Sequence, residues 1–296
     1  MTTLLLDLLL LLRAGFTITP LPGTPVDILC SDGIVTVACA GPAGVWQLGD
    51  AGIAPLGTGI VEPRSLALWS GMIAVSDPGA GTVVSGERVY RFQGRAEGIT
   101  TVDWFGDGIQ RLAVCLFDPG AVMLLNRDGL RTVLAELPGA KDVKAADVDG
   151  DGDRDLFASG CGTGVVVIEN AEEGPLVHPV GNIGAGVKRI AATDMDGDGL
   201  TDVVGLACAE GGAGWWRNPG DPGLPWEFVH LLPELSGPKA LAVSGDTLLI
   251  ASLYSPLHLT GSHQRFPTGF VSCAFDGRGG IVAGHRMGLL IRGPRR

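Results

Sequence analysis

The sequence predicts an all-β chain folded as a seven-bladed β-propeller, on three observations. Short apolar runs alternate with turns: Gly 47 and Pro 19 are abundant in 296 residues, and aromatics make up only 6%. That mixture suits strands and tight turns rather than helices. The runs restart near positions 26, 65, 99, 143, 187, 239 and 271, a period of about 41 residues that falls in the ~40–50 range of a four-stranded blade. The last unit is one strand short, while an unassigned strand stands near the N-terminus.

Taken in chain order, residues 1–15 form a leucine-rich segment, "MTTLLLDLLLLLRAG", interrupted by Asp7. It is too short to span a bilayer, and no basic residue precedes it. It is expected to pack as a strand or cap, with an export signal or short anchor as the alternative. Residues 16–296 are expected to be a single propeller domain. Each unit opens on a run such as "PVDILCSDG" at 25, "ITTVDWFGDG" at 99 or "VKAADVDGDG" at 143. A second strand follows ("IVTVACAG", "RLAVCLFDPG", "DLFASGCG"), then a third ("GVWQLG", "AVMLLN", "GVVVIEN"). Fourth strands such as "LRTVLAEL" and "WEFVHLL" end the units. The unit from Phe270 lacks its fourth strand, and "FTITPLPG" at 16–23 is expected to supply it, removing an exposed sheet edge. Six or eight blades are the alternative count, because the unit at 239–269 is irregular.

Two turns carry chemistry. In "DVDGDGDRD" (147–155) and "DMDGDGLTD" (194–202), aspartates at positions 1, 3 and 5 can converge on one point, and glycine at position 6 permits the sharp turn. Two carboxylates ~4 Å apart repel by about 1 kcal/mol even in water, so an arrangement made twice implies a cation that cancels the repulsion. The expected side-chain ligands are Asp147, Asp149 and Asp151 in the first loop and Asp194, Asp196 and Asp198 in the second. Asp153 and Leu200 would offer backbone carbonyls at position 7, and Asp155 and Asp202 would close each site from position 9. Hard oxygen donors at this spacing suit Ca²⁺. A third turn, "DWFGDGIQR", keeps Asp103, Asp107 and Gly108 but places Phe105 at position 3 and Arg111 at position 9. That pattern is expected to have lost metal, leaving two sites.

An apolar strand, DxDGDGxxD and a small-residue strand resemble the FG-GAP/VCBS repeats of integrin-α-like propellers. "GWWRNPGDPGLPWEFVHL" at 214–231 is similar to the stretch after the calcium loop in such repeats. The resemblance covers roughly 142–232. It implies seven blades and structural calcium on the face that carries the first hairpins.

The formal net charge of -11, with 21 basic residues, excludes a general nucleic-acid footprint. Six cysteines without a CxxC pair are expected to be buried, reduced thiols, which makes a zinc site unattractive. On that reading the compartment is the cytoplasm, with secretion or the cell surface as the alternative that millimolar calcium would suit. Turns after the second strands carry Asp77, Asp118, Glu210, Tyr254, His258, His285 and Arg286, the expected ligand or partner face. Trp215, Trp216 and Trp226 could stack a sugar or pack between blades. His178 and His230 fall in fourth strands without transition-metal spacing. Without GxSxG, Walker A or GxGxxG in a fitting context, the expected function is a non-enzymatic, calcium-binding scaffold for a protein partner. The alternatives are a carbohydrate-binding propeller, and a hydrolase or lyase built on Asp77, Asp118, His258 or His285.

Overall fold

The computed structural model describes residues 12, 15–32, 34–49, 52–57, 59–209, 212–260, 266–276 and 280–294. Residues 1–11, 13 and 14 of the leucine-rich segment lie outside that description, as does Glu210. Every described element is a strand. β1 (Thr17–Pro20) is followed by β2 (Thr24–Ser31), β3 (Ile34–Ala40), β4 (Gly44–Gly49) and β5 (Gly52–Gly57). Next come β6 (Ser65–Trp69), β7 (Met72–Asp77), β8 (Thr82–Ser85) and β9 (Arg88–Arg91), then β10 (Ala96–Val102), β11 (Arg111–Leu116), β12 (Ala121–Leu125) and β13 (Arg131–Glu136). The two acidic units hold β14 (Ala140–Ala146), β15 (Asp155–Gly160), β16 (Gly164–Glu169) and β17 (Leu176–Gly181), and β18 (Val187–Thr193), β19 (Asp202–Ala207), β20 (Ala213–Arg217) and β21 (Glu227–Leu232). The chain ends with β22 (Pro238–Ser244), β23 (Thr247–Ser252), β24 (His258–Leu259), β25 (Phe270–Phe275), β26 (Gly280–His285) and β27 (Leu289–Pro294). They form seven antiparallel sheets, the blades of a β-propeller, each running in chain order except the last.

Arg64–Glu234 form one compact unit of four blades. Their apolar faces pack blade against blade. Trp69 and Val83 meet Ile99, Leu112 and Val114; Val102, Ala113 and Val122 meet Val143, Leu156 and Val166; Phe157 and Val165 meet Ile190, Val203 and Trp216. Each fully buried large aliphatic or aromatic side chain contributes roughly 1.5–3 kcal/mol by leaving water. The second strands β11, β15 and β19 are buried along their whole length, so their residues read as continuous apolar runs. Their first residues, Arg111, Asp155 and Asp202, and Ser159 in β15 are the polar exceptions. Each of β10, β14 and β18 begins with a register shift against its neighbour, a bulge that re-aims the side chains at the strand's start.

The other unit comprises Met1–Pro63 and Leu235–Arg296 and holds three blades. β1 completes the sheet β1-β27-β26-β25, pairing Thr17 with Arg292 and Pro20 with Leu289. The N-terminal strand therefore supplies the missing fourth strand of the last blade, as the sequence predicts. Phe16 is buried against Phe266 beside Phe270, Ile281 and Ile291. The irregular unit is a three-stranded sheet, β22-β23-β24, whose last strand has only two residues.

Candidate metal centre

The loops Asp147–Asp155 and Asp194–Asp202 join the first and second strands of adjacent blades and share one geometry. The position-1 carboxylate folds each turn around itself. Asp147 accepts hydrogen bonds from the N–H groups of Gly150 (2.8 Å) and Gly152 (3.2 Å). Asp194 does the same with Gly197 (2.7 Å) and Gly199 (3.0 Å). These glycines take φ of 81° and 97° in the first loop and 78° and 92° in the second, values that side chains with a Cβ rarely adopt. Asp149 and Asp151 accept from the N–H two residues on, as do Asp196 and Asp198.

The folded turns bring carboxylates together. Asp147, Asp149 and Asp151 each offer an oxygen within 4.8 Å of the others, as do Asp194, Asp196 and Asp202. The donors are all hard oxygens, and either set could hold a metal ion. Asp151 is part of the first set, whereas its counterpart Asp198 is drawn away to Arg217. The Asp153 side chain carries a buried Oδ1 that has no hydrogen-bond partner. Burial first, and then Asp151, Asp149 and Asp147, push the Asp153 carboxyl up to about 6. Burial also raises Asp149 and Asp202. An unpaired buried oxygen among raised carboxylates is the electrostatic signature of a place where a cation fits.

The position-9 aspartates act as staples. Asp155 accepts the Val148 N–H on Oδ2 (2.9 Å) and the Asn170 N–H on Oδ1 (2.8 Å). Asp202 accepts the N–H groups of Met195 (3.0 Å) and Asn218 (2.7 Å) in the same way. Burial pushes Asp155 up to about 6 despite these bonds. The two asparagines then latch blade to blade: Asn170 Nδ2 donates to Trp104 O (2.6 Å), and Asn218 Nδ2 donates to Val148 O (2.7 Å). Sequence reasoning missed them. The available signal was an asparagine 15 residues after Asp155 and 16 after Asp202.

The residue before each asparagine distinguishes the loops. Arg217 Nε lies 2.6 Å from Asp196 and its NH2 group 3.1 Å from Asp198. At the equivalent place in the first unit stands Glu169, which pairs with His178 at 2.6 Å and adds negative charge near Asp149. In the third turn a cation stands where the other two carry their position-9 aspartate. Arg111 grips Asp107 through two nitrogens, at 2.8 and 2.7 Å, and stacks on Phe105 with its guanidinium carbon 4.4 Å from the ring centre. That contact holds Asp107 well below the usual carboxylate range.

The predicted partner-face residues divide between the two units. Asp77 is fully buried at the end of β7 and accepts the Ala80 N–H, and Asp118 is exposed in the turn after β11. In the other unit Tyr254 is 68% exposed, Arg286 is exposed, and His258 is half-buried on β24. Burial pushes the imidazole of His258 down. His285 is buried, with Nε2 on Thr268 O (2.9 Å) and Nδ1 accepting the Met287 N–H (3.2 Å). Both ring nitrogens are thus engaged by backbone, one by its own turn and one by the segment before β25. Trp216 and Trp226 are blade packing, against Phe228 and Phe157 respectively. His230 packs edge-on against Phe228.

One expectation is corrected. Cys161 and Cys208 are joined in a disulfide, with Cα atoms 6.0 Å apart. They follow β15 and β19 at equivalent positions, and their separation of 47 equals that of Asp147 from Asp194. Repeat geometry, not a short spacing motif, brings them together. Cys39, Cys115 and Cys273 are buried free thiols as expected, and burial pushes Cys273 up to about 12.

The sequence model of the family described as FG-GAP-like repeat matches residues 147–205, from the first acidic loop into β19. The FG-GAP resemblance holds on that stretch. No curated protein matches the chain at a significant level. Among solved structures, virginiamycin B lyase from Staphylococcus aureus superposes with a TM-score of 0.72 at 15% identity, covering 94% of this chain and 98% of that one. YCF48 bound to D1 peptide gives 0.65 at 13% identity, covering 95% of each chain. The WD40 β-propeller domain of Doa1 gives 0.68 at 12% identity, covering 95% and 98%. At such identities the likeness is one of fold, a β-propeller.

Proposed function

We propose that this chain is a calcium-stabilised β-propeller that serves as a scaffold for a protein partner. The observation that carries the calcium reading is the first acidic loop. Asp147, Asp149 and Asp151 converge there, and the buried Asp153 Oδ1 lacks a partner. A divalent ion with a preference for six to eight oxygens would supply the missing positive charge and tie β14 to β15. The ion is a structural element in this reading and takes part in no reaction. Calorimetric titration of EDTA-stripped protein with Ca²⁺ and with Mg²⁺ tests it. Tight binding of Ca²⁺ that is lost in Asp149→Asn supports the site, and equal heats from wild type and variant would refute it.

The scaffold reading is supported by fold precedent, since YCF48 is a propeller described bound to a peptide. It is also supported by the engagement of His285 and Asp77 with backbone groups. Native mass spectrometry of the chain purified from its source at low ionic strength tests it. A stoichiometric polypeptide supports the scaffold, and a bound glycan in its place would favour the carbohydrate reading. The Cys161–Cys208 disulfide and millimolar calcium both suit an oxidising, extracytoplasmic compartment better than the cytoplasm.

A further inference from the structure

We infer that the two acidic loops are coupled: an ion in one raises the affinity of the other for Ca²⁺ through the buried side chain of Asn218. The inference rests on the calcium reading of the loops and adds that the pair responds to calcium as a unit.

A continuous chain of hydrogen bonds joins the loops across the blade boundary. Asn218, 2% exposed, is held by the second loop at two points: its N–H donates to Asp202 Oδ1 (2.7 Å) and its Nδ2 to Thr201 O (2.9 Å). The same Nδ2 donates to Val148 O in the first loop (2.7 Å), and the Val148 N–H donates to Asp155 Oδ2 (2.9 Å). The position-9 aspartates of the two loops are thus the ends of one path, from Asp202 through Asn218 and Val148 to Asp155. Every residue on it is buried: Val148 and Asp155 are 1% exposed and Asp202 is 0% exposed. Water does not compete for bonds at this depth, so each holds its partner's orientation more firmly.

What Asn218 grips decides what the path does. Val148 stands between Asp147 and Asp149, two of the three carboxylates that converge in the first loop. Peptide units are planar, so holding both the N–H and the O of Val148 fixes the two planes that carry the Cα atoms of those aspartates. At the other end, Asp202 belongs to the converging set of the second loop. An ion there cancels the repulsion among Asp194, Asp196 and Asp202 and holds Asp202, and with it Asn218, in the latched position. An ion in the first loop holds Val148 and acts on the same carboxamide from the other side. Whichever ion enters first orders the latch, and the second meets a loop already in its binding geometry. Such coupling is reciprocal, with the same factor in both directions. One buried hydrogen bond of ordinary net strength corresponds to roughly fivefold in affinity. Direct repulsion between the two ions acts in the opposite sense, is screened by salt and does not depend on Asn218.

Calorimetric titration of the EDTA-stripped full chain with Ca²⁺ tests the coupling, with the folding of each variant checked by thermal unfolding. Asp149→Asn empties the first loop and leaves the second able to bind. The second loop's affinity in that variant should be about fivefold below that of the second binding step in wild type. In an Asn218→Ala background the difference should vanish, a double-mutant cycle that isolates the latch. Asn170→Ala is the control: it deletes the equivalent latch one boundary earlier, onto Trp104 O in the third turn, and should preserve the difference. A second readout stands even where Asn218→Ala fails to fold. Amide hydrogen exchange at Val148 should slow when Ca²⁺ fills the second loop of Asp149→Asn. Equal second-loop affinities with and without an ion in the first, a difference that survives Asn218→Ala, or exchange at Val148 that ignores Ca²⁺ would overturn the coupling and leave the calcium reading standing. Binding in one loop only would overturn the coupling as well, and a chain that binds no Ca²⁺ at all would overturn the calcium reading with it.

Discussion

Arg217 Nε lies 2.6 Å from Asp196 Oδ2, so the second acidic loop carries a cation of its own. Glu169 occupies the equivalent place beside the first loop, where it adds negative charge. The two loops share their turn and differ in this neighbour. A divalent ion entering the second loop must displace a guanidinium, and one entering the first meets only carboxylates.

The two loops should therefore bind calcium unequally. Titration should resolve a tighter site in the first loop and a weaker one in the second. Arg217→Gln should strengthen the weaker site by on the order of tenfold, since it removes a competing charge within the contact range of two ligands. Asp149→Asn should abolish the tighter site and leave the weaker one intact. Equal affinities in wild type, unchanged by Arg217→Gln, would contradict the assignment.

The metal-free protein should lose stability as pH rises through the titration of Asp153. Its folded carboxyl is pushed up to about 6, above the 3.8 of an unperturbed aspartate, so the folded state holds that proton more tightly than the unfolded state. The stability that this group confers is present below about pH 4 and is lost as pH rises through about 6. In EDTA, Asp153→Asn should melt higher than wild type at pH 7.5, and the difference should shrink at pH 5. His258 and His285, pushed down by burial, act in the opposite direction and cancel in this comparison.

Reduction should cost stability. A cross-link across 47 residues contributes about 4 kcal/mol by the chain-entropy estimate. Thiol titration of the denatured chain should find four reactive cysteines without reductant and all six with it. The melting temperature should fall in dithiothreitol, and Cys161→Ser/Cys208→Ser should reproduce the fall.

The asparagine latch should contribute to stability as a buried donor does. Asn218→Ala leaves Val148 O and Thr201 O without their donor, now at 2.7 and 2.9 Å, and should cost about 1–3 kcal/mol in denaturant unfolding. Asn182→Ala, in an exposed turn, should cost little.

The blades were legible because their period, their buried second strands and the spare N-terminal strand are properties of chain order. The metal loops were legible because positions 1, 3, 5 and 6 are local. Arg217, Asn170 and Asn218 were not, since each acts on a loop at least 15 residues away or in the neighbouring blade. The Cys161–Cys208 pair was hidden for the same reason, as equivalence between repeats shows only when the repeats are aligned.

Thermal unfolding of the purified chain, with metal content measured by mass spectrometry, tests the central claim most directly. The account predicts bound calcium, a marked fall in melting temperature with EDTA, and its recovery with Ca²⁺ in wild type but not in Asp149→Asn/Asp196→Asn. A chain that carries no calcium and melts at the same temperature in EDTA and in Ca²⁺ would contradict it.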